Sequence, residues 1–174
     1  ELWKQPIPSK VPVTVIVCTR NRPQLLQKCL QQLNHLHCIP EEIVVVDNAS
    51  DTDETQLVVA QFKEIKYIKE PRLGLDFARN TGIKKASNAI LAYVDDDVIV
   101  HPDWLYWVWD SFKDKTVMAM TGLVVAQKLE TEAQQIFEKY WSFNRGYVDK
   151  VYDTTFFKNT LHKGPPVWEI GAGA

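Results

Sequence analysis

The stretch "VPVTVIVCTRNRP", residues 11–23, decides the fold class. Its first eight residues are nearly all apolar and rich in β-branched side chains. A run of that kind reads as a strand buried on both faces, the signature of a parallel sheet. The polar "TRNRP" that follows ends the strand, and Pro23 suits the first turn of a helix, where its missing N–H costs nothing. Leu25, Leu26, Cys29, Leu30 and Leu33 then recur at helical spacing.

The same alternation continues outward. "EEIVVVDNASDTDET" gives a second buried strand over 43–46, a polar turn, and a helix from about residue 52 to 62. "IKYIKE" (65–70) reads as a short strand, and "GLDFARNTGIKKA" (74–86) as a loop entering a helix that ends near 86 or 87. "AILAYV" (89–94) is the next strand, "HPDWLYWVWDSF" (101–112) a helix begun by Pro102, and "VMAMTGLVV" (117–125) another strand. Strands alternating with helices imply right-handed crossovers and an α/β, Rossmann-like sheet with helices on both faces, a three-layer sandwich. After residue 125 the pattern changes to a helix within 131–153, an aromatic and basic stretch, and a Pro/Gly loop, "HKGPPVWEIGAGA" (162–174).

Composition excludes several function classes. A formal net charge of −2 over 174 residues gives no global attraction to nucleic acid or anionic membrane, so any anion site is local. No window approaches the roughly 20 apolar residues of a membrane span, and no secretory signal opens the chain. The first residue is Glu1 rather than Met, as expected of a piece of a longer protein. Cys18, Cys29 and Cys38 are odd in number and form no C-x-x-C pair, which argues against a disulfide framework or a zinc site. They read as reduced core thiols, and the expected location is the cytoplasm, there or at the inner face of a membrane.

The polar residues cluster where strands end. The first strand ends in Thr19, Arg20, Asn21 and Arg22, the second in Asp47, Asn48 and Ser50, and the 89–94 strand in Asp95, Asp96 and Asp97. If the strands are parallel, all three clusters lie along the carboxyl edge, where open α/β sheets bind ligands. Arginines there suit phosphates, a carboxylate suits a base or ribose, and adjacent aspartates suit a hard divalent cation, Mg2+ or Mn2+. A cation would also explain why three carboxylates tolerate one another. The bland readings stand beside these: a solvated "DDD" turn, Asp47 capping its own turn, Arg79 paired with a surface acid, and Trp104, Tyr106, Trp107 and Trp109 as helix packing. His101 reads as a surface residue.

Taken together, "VTVIVCTRNRP", "IVVVDNASDTDET", "GLDFARNTGIKKA", "ILAYVDDDVIVHPDWL" and the terminal "GAGA" resemble the family 2 glycosyltransferases of the GT-A fold. The resemblance implies metal-dependent transfer of a sugar, with inversion, from a nucleotide-diphosphate donor, UDP-linked by preference, to a saccharide, lipid-linked or other hydroxyl acceptor. It implies that Thr19, Arg20, Arg22, Asp47, Asn48, Gly74, Asp76, Arg79, Asp95 and Asp96 bind the nucleotide. Asp97 and Asp95 would hold Mg2+ or Mn2+, and Gly171, Ala172 and Gly173 would border the acceptor. One domain is expected over 1–174, with a nucleotide-sugar-binding core over 11–125 and the start of an acceptor-side region over 126–174. The family's general base follows the "GAGA" loop, so it is expected beyond residue 174, and the "Q-x-x-R-W" motif of processive synthases is absent. Glu169 is the nearest acid but precedes the loop.

Three other readings compete. A donor-binding fragment without efficient catalysis needs no base. A haloacid-dehalogenase-type phosphatase would place its nucleophilic aspartate after the first strand. A nucleotidyltransferase needs a glycine-rich phosphate loop, and "TVIVCTRNRP" contains no glycine.

Overall fold

The structure is a computed structural model that describes residues 6–142 and 146–153. β1 (Lys10–Thr19) is followed by α1 (Pro23–Leu33), β2 (Ile39–Asn48), α2 (Glu54–Val59), β3 (Ile65–Glu70), α3 (Leu75–Lys85), β4 (Ile90–Asp95) and α4 (Trp104–Ser111). The strands form one sheet in the order β3-β2-β1-β4, and every pairing is parallel. The chain steps from β1 to β2 to β3, then returns past β1 to add β4. Right-handed crossovers on a path that reverses place the helices on opposite faces, and the packing follows that rule.

The period of two along the strands sorts the core. Val13, Val15 and Val17 of β1 and Val45 of β2 point to one face, with Leu26, Cys29, Leu30 and Leu33 of α1, Val58 and Val59 of α2, and Leu105, Tyr106 and Val108 of α4. Ile16, Val44 and Val46 point to the other, where Ala78 of α3 meets them. That second layer is thin because α3 offers small residues, Ala78 and Gly82, one turn apart. A Cβ on Gly82 would lie 2.7 Å from Ile16 Cγ2, so the helix approaches the sheet more closely than any side chain at 82 permits.

The described structure departs from the sequence reading at several places. Residues 117–125, expected as a strand, carry no strand pairing, and Met118 is 86% exposed. An apolar β-branched run becomes a strand only beside a partner strand, and among the described residues none pairs with it. α2 is shorter than 52–62, because Gln61 N and Phe62 N donate to Val58 O and Val59 O, three residues back, and tighten the last turn. α4 begins at Trp104 rather than Pro102, after a turn closed by Trp104 N donating to His101 O at 2.9 Å. β2 extends to Ile39–Asn48 beyond the apolar run, since its first residue still pairs with Lys10. Leu25 lies off the buried stripe of α1. Of the α4 aromatics, Tyr106 is buried and Trp104 and Trp109 lie half-buried against the same core, whereas Trp107 is exposed and meets the Tyr106 ring edge-on.

The three cysteines are free thiols. Burial pushes Cys18 up to about 11 and Cys29 up to about 12, which keeps both protonated and unreactive at neutral pH. A second compact unit begins at Ala119. It contains α5 (Glu132–Tyr140), opened by a capping box in which the Thr131 hydroxyl accepts from Gln134 N.

One local strain is testable. Glu64 sits in the turn before β3 with φ 69°, a conformation that disfavours residues bearing a Cβ. Glu64→Gly is expected to raise stability by up to about 1 kcal/mol, read as a higher urea midpoint with an unchanged slope. An unchanged or lower midpoint would show that the left-handed conformation carries no cost there.

Candidate active site at the carboxyl edge of the sheet

Because all four strands run in one direction, Thr19, Asn48, Glu70 and Asp95 end along the same edge. Register fixes their neighbours: Thr19 lies opposite Asp47, Cys18 opposite Asp95, and Asn48 opposite Glu70. The direction of chain progression reverses between β1 and β4, and such a switch point opens a crevice outside the strand ends. At that point of the edge the loop after β1 meets the three aspartates, through Arg22 and Thr19.

The aspartates divide their roles. Asp96, 4% exposed, turns inward: its Oδ2 accepts from the Thr19 hydroxyl at 2.6 Å and its Oδ1 from Arg22 Nη1 at 3.0 Å. Arg22 Nη1 also lies 3.4 Å from Asp97 Oδ2. Asp95 and Asp97 face outward, and the Asp97 side chain is 53% exposed. Partial burial raises the Asp95 pKa; Asp97 and Asp96 push it the same way, while the nearby Arg79 guanidinium opposes them. The repulsion in "DDD" is thus eased by turning its middle member into the protein. Arg79 lies over the Tyr93 ring, 6.0 Å from its centroid, and its carbonyl accepts from the Tyr93 hydroxyl.

On the β2 side, Asp47 is fully enclosed. Its Oδ2 accepts from the Tyr67 hydroxyl at 2.7 Å and its Oδ1 from Ser50 N at 3.3 Å. Burial and the bond to Asp47 both raise the Tyr67 pKa, so the phenol remains a donor. Asp47 therefore meets a nucleotide only where Tyr67 yields. Arg20 donates to Ala49 O, and Asn21 bonds Asp51, tying the β1 and β2 loops together. Asn21 and Ala49 both hold positive φ, 54° and 53°, at these strand ends. Strain of that kind persists where the surrounding structure over-determines the backbone.

Asn48, Gly74, Asp76 and Arg79 belong to one loop system. Asn48 Nδ2 donates to Arg72 O at 2.7 Å, and its Oδ1 accepts from Gly74 N at 3.0 Å. Gly74 has φ 140°, open to glycine alone, and precedes α3, whose first turn carries the exposed Asp76. Glu169 and Gly171, Ala172 and Gly173 lie outside the described residues.

Sequence reasoning missed Tyr67, Glu70, Arg72 and Thr81. Glu70 ends β3 on this same edge, buried, and accepts from Arg72 N, Nε and Nη2 and from the Thr81 hydroxyl. Those bonds hold its carboxyl well below the usual carboxylate range, with the Arg72 side chain contributing most. A charged residue closing the run "IKYIKE", two positions before an arginine, was the available signal.

Among the described residues no cluster of three metal-ligating side chains is preassembled. The exposed Asp95 and Asp97 offer hard donors of the kind Mg2+ and Mn2+ take one or two at a time, the rest coming from water and phosphate.

The chain is similar to several known proteins. Glycosyltransferase GlyA of Streptococcus pneumoniae serotype 4 is 29% identical over 155 residues, 87% of this chain and 22% of its own length. Glycosyltransferase AglE of Haloferax volcanii is 38% identical over 102 residues, 53% of this chain and 33% of its own. The chain therefore spans a third or less of either relative. Among solved structures, a mannosyltransferase of Pyrobaculum calidifontis in complex with GDP-Man and Mn2+ superposes with a TM-score of 0.52 at 23% identity, over 74% of this chain and 39% of that one. Glucosyl-3-phosphoglycerate synthase of Mycobacterium tuberculosis, in complex with UDP, gives 0.52 at 16% identity, over 73% of this chain and 49% of that one. At these identities the likeness concerns the fold, which is the GT-A fold expected from the sequence. The profile described as "Glycosyl transferase family 2" matches residues 14–162, most of the chain, and the chain belongs to that family.

Proposed function

We propose that this chain supplies the donor-binding half of a glycosyltransferase that moves a sugar from a nucleoside diphosphate to an acceptor hydroxyl, with a divalent cation and with inversion. The observation that carries the reading is the division of labour among the aspartates: Asp96 is consumed internally, while Asp95 and Asp97 are exposed at the switch-point edge, Asp97 with one oxygen 3.4 Å from Arg22. Arg22, bonded to Asp96 and Asp97, and Arg79, near Asp95, suit the diphosphate. Thr19 fixes Asp96, and Arg20 braces the loop above Asp47; both act by shaping that edge. Asp76 and Gly74 border it through the start of α3.

Asp95 and Asp97 would hold Mg2+ or Mn2+, whose contribution when bound is to neutralise charge gathering on the departing diphosphate. The arginines around them, Arg22 and Arg79, would bind the donor's phosphates. The relatives' names and the Pyrobaculum complex with GDP-Man and Mn2+ support sugar transfer with such a metal. The phosphatase alternative needs its aspartate after the first strand, and β1 ends in Thr19. No helix among the described residues is long and apolar enough to cross a membrane. A saccharide, lipid-linked or other hydroxyl acceptor fits the reading equally.

Calorimetry with UDP and GDP, with and without Mn2+, tests the proposal. Wild type is expected to bind one of them with a strong dependence on the metal. At a hundred times the dissociation constant, the ligand should stabilise the fold by about 2.7 kcal/mol. Asp97→Ala is expected to abolish the metal-dependent part. Equal binding with and without Mn2+ in wild type would overturn the role given to Asp95 and Asp97.

A further inference from the structure

The β3–α3 connection holds a buried charge that the donor-site reading does not use. Glu70 is 3% exposed, yet it is ionised, and four hydrogen bonds converge on it from three donor groups of Arg72 and from Thr81. Burying a carboxylate is costly unless it is fully bonded, so an arrangement this complete serves to fix whatever donates to it. What donates is the loop that begins α3. Arg72 N and Nε lie 2.9 and 2.8 Å from Oε1, and Nη2 lies 2.8 Å from Oε2. The two side-chain bonds give the fork geometry that locks a guanidinium in plane. The guanidinium carbon of Arg72 lies over the Phe77 ring, 4.6 Å from its centroid. Thr81 ties the same carboxylate to the second turn of α3.

Asn48 closes the loop from the neighbouring strand, using its carbonyl for Gly74 N and its amide for Arg72 O. Glu70 and Asn48 are register partners, so adjacent strand ends grip one short loop from two sides. Leu73, at the loop's centre, is 61% exposed, so little apolar packing holds the loop in place. The polar clamp does.

We propose that Glu70 is a positioning residue for the donor site: with Asn48 it holds the 71–74 loop and the start of α3 against the sheet edge, and nucleotide affinity depends on that grip. The inference rests on the donor-site reading above. Glu70 touches no substrate in this scheme. It sets the fraction of molecules whose 71–74 loop is in the binding position.

The test uses the full chain, with UDP and GDP as probes in the presence of Mn2+. Each variant is titrated by calorimetry at least ten degrees below its own melting point, so that every molecule counted is folded. If Glu70→Gln lowers the fraction of closed loops to about a tenth, affinity falls about tenfold, because apparent affinity scales with the competent fraction. Thr81→Val removes one bond of the four and guards against a Glu70 variant that does not fold. It is expected to weaken binding about threefold by the same scaling. Hydrogen exchange at the amides of Arg72 and Gly74 should accelerate in both variants while the strand amides of β1 keep their protection. Wild-type binding together with unchanged affinity in folded Glu70→Gln and Thr81→Val would overturn the positioning role and leave the donor site standing. Failure of wild type to bind either nucleotide would overturn both.

Discussion

Gly82→Val is expected to lower the stability of the chain by about 2–3 kcal/mol, although valine is the better helix former. Helix propensity favours the substitution by about 0.5 kcal/mol, since glycine is worse than any residue but proline. Against this, even the first carbon added would sit 2.7 Å from Ile16 Cγ2 and 3.3 Å from its Cδ1. Ile16 is fully buried on the central strand, and its branched Cβ leaves little rotamer freedom with which to move aside. Val46 Cγ2, at 3.5 Å, blocks a shift toward β2. The helix must therefore lift from the sheet. Lifting it would disturb the thin layer around Ala78 and the Thr81 bond to Glu70. Ile16→Ala alone should cost about 2–5 kcal/mol by opening a cavity. The pair should cost less than the sum, by about 0.5–3 kcal/mol, because each change relieves the other. Urea unfolding of the four proteins measures the cycle. Additive losses would mean that the two positions do not meet.

The same contact shows what the sequence could and could not disclose. The apolar runs at 11–18 and 43–46 announced buried parallel strands, because a strand covered on both faces must be apolar at every position. From that and the alternation with helices, the edge that carries the polar clusters followed. The glycine of "FARNTG" carried no such message: its role is the proximity of α3 to Ile16, a residue 66 positions earlier in the chain. The false strand at 117–125 failed for the complementary reason, since an apolar run states a preference for burial and not the presence of a partner. Among the site residues, types and strand ends were legible, whereas direction was not. Three consecutive aspartates look alike as letters. Only the turn after β4 decides that the middle one faces Thr19 and its neighbours face outward.

That difference in direction predicts opposite behaviour for two adjacent, chemically identical residues. Asp96→Ala should destabilise the chain by about 2–4 kcal/mol, since it removes two hydrogen bonds to a charged acceptor and strands a buried hydroxyl. The hydroxyl is that of Thr19, itself buried, whose oxygen lies 2.6 Å from the carboxylate that would be lost. Arg22 loses less, because it reaches water and can turn wholly to Asp97. That second pairing has a functional consequence: a guanidinium settled on Asp97 competes with a cation for the same oxygens, so Asp96→Ala should also weaken Mn2+-dependent nucleotide binding. Asp97→Ala should leave stability within about 0.5 kcal/mol of wild type, as exposed positions do, while abolishing the metal-dependent part of binding. Asp96→Asn separates the two effects, for its carbonyl can still accept from Thr19 while its amide can only face Arg22 donor to donor. It should recover part of the stability while Arg22 still turns to Asp97, so the Mn2+-dependent binding stays weakened. Urea midpoints and Mn2+-dependent calorimetry on the three variants decide the matter. Equal destabilisation by Asp96→Ala and Asp97→Ala would mean that the two carboxylates are not divided between inside and outside, and the assignment of the outward pair to the cation would lose its structural basis.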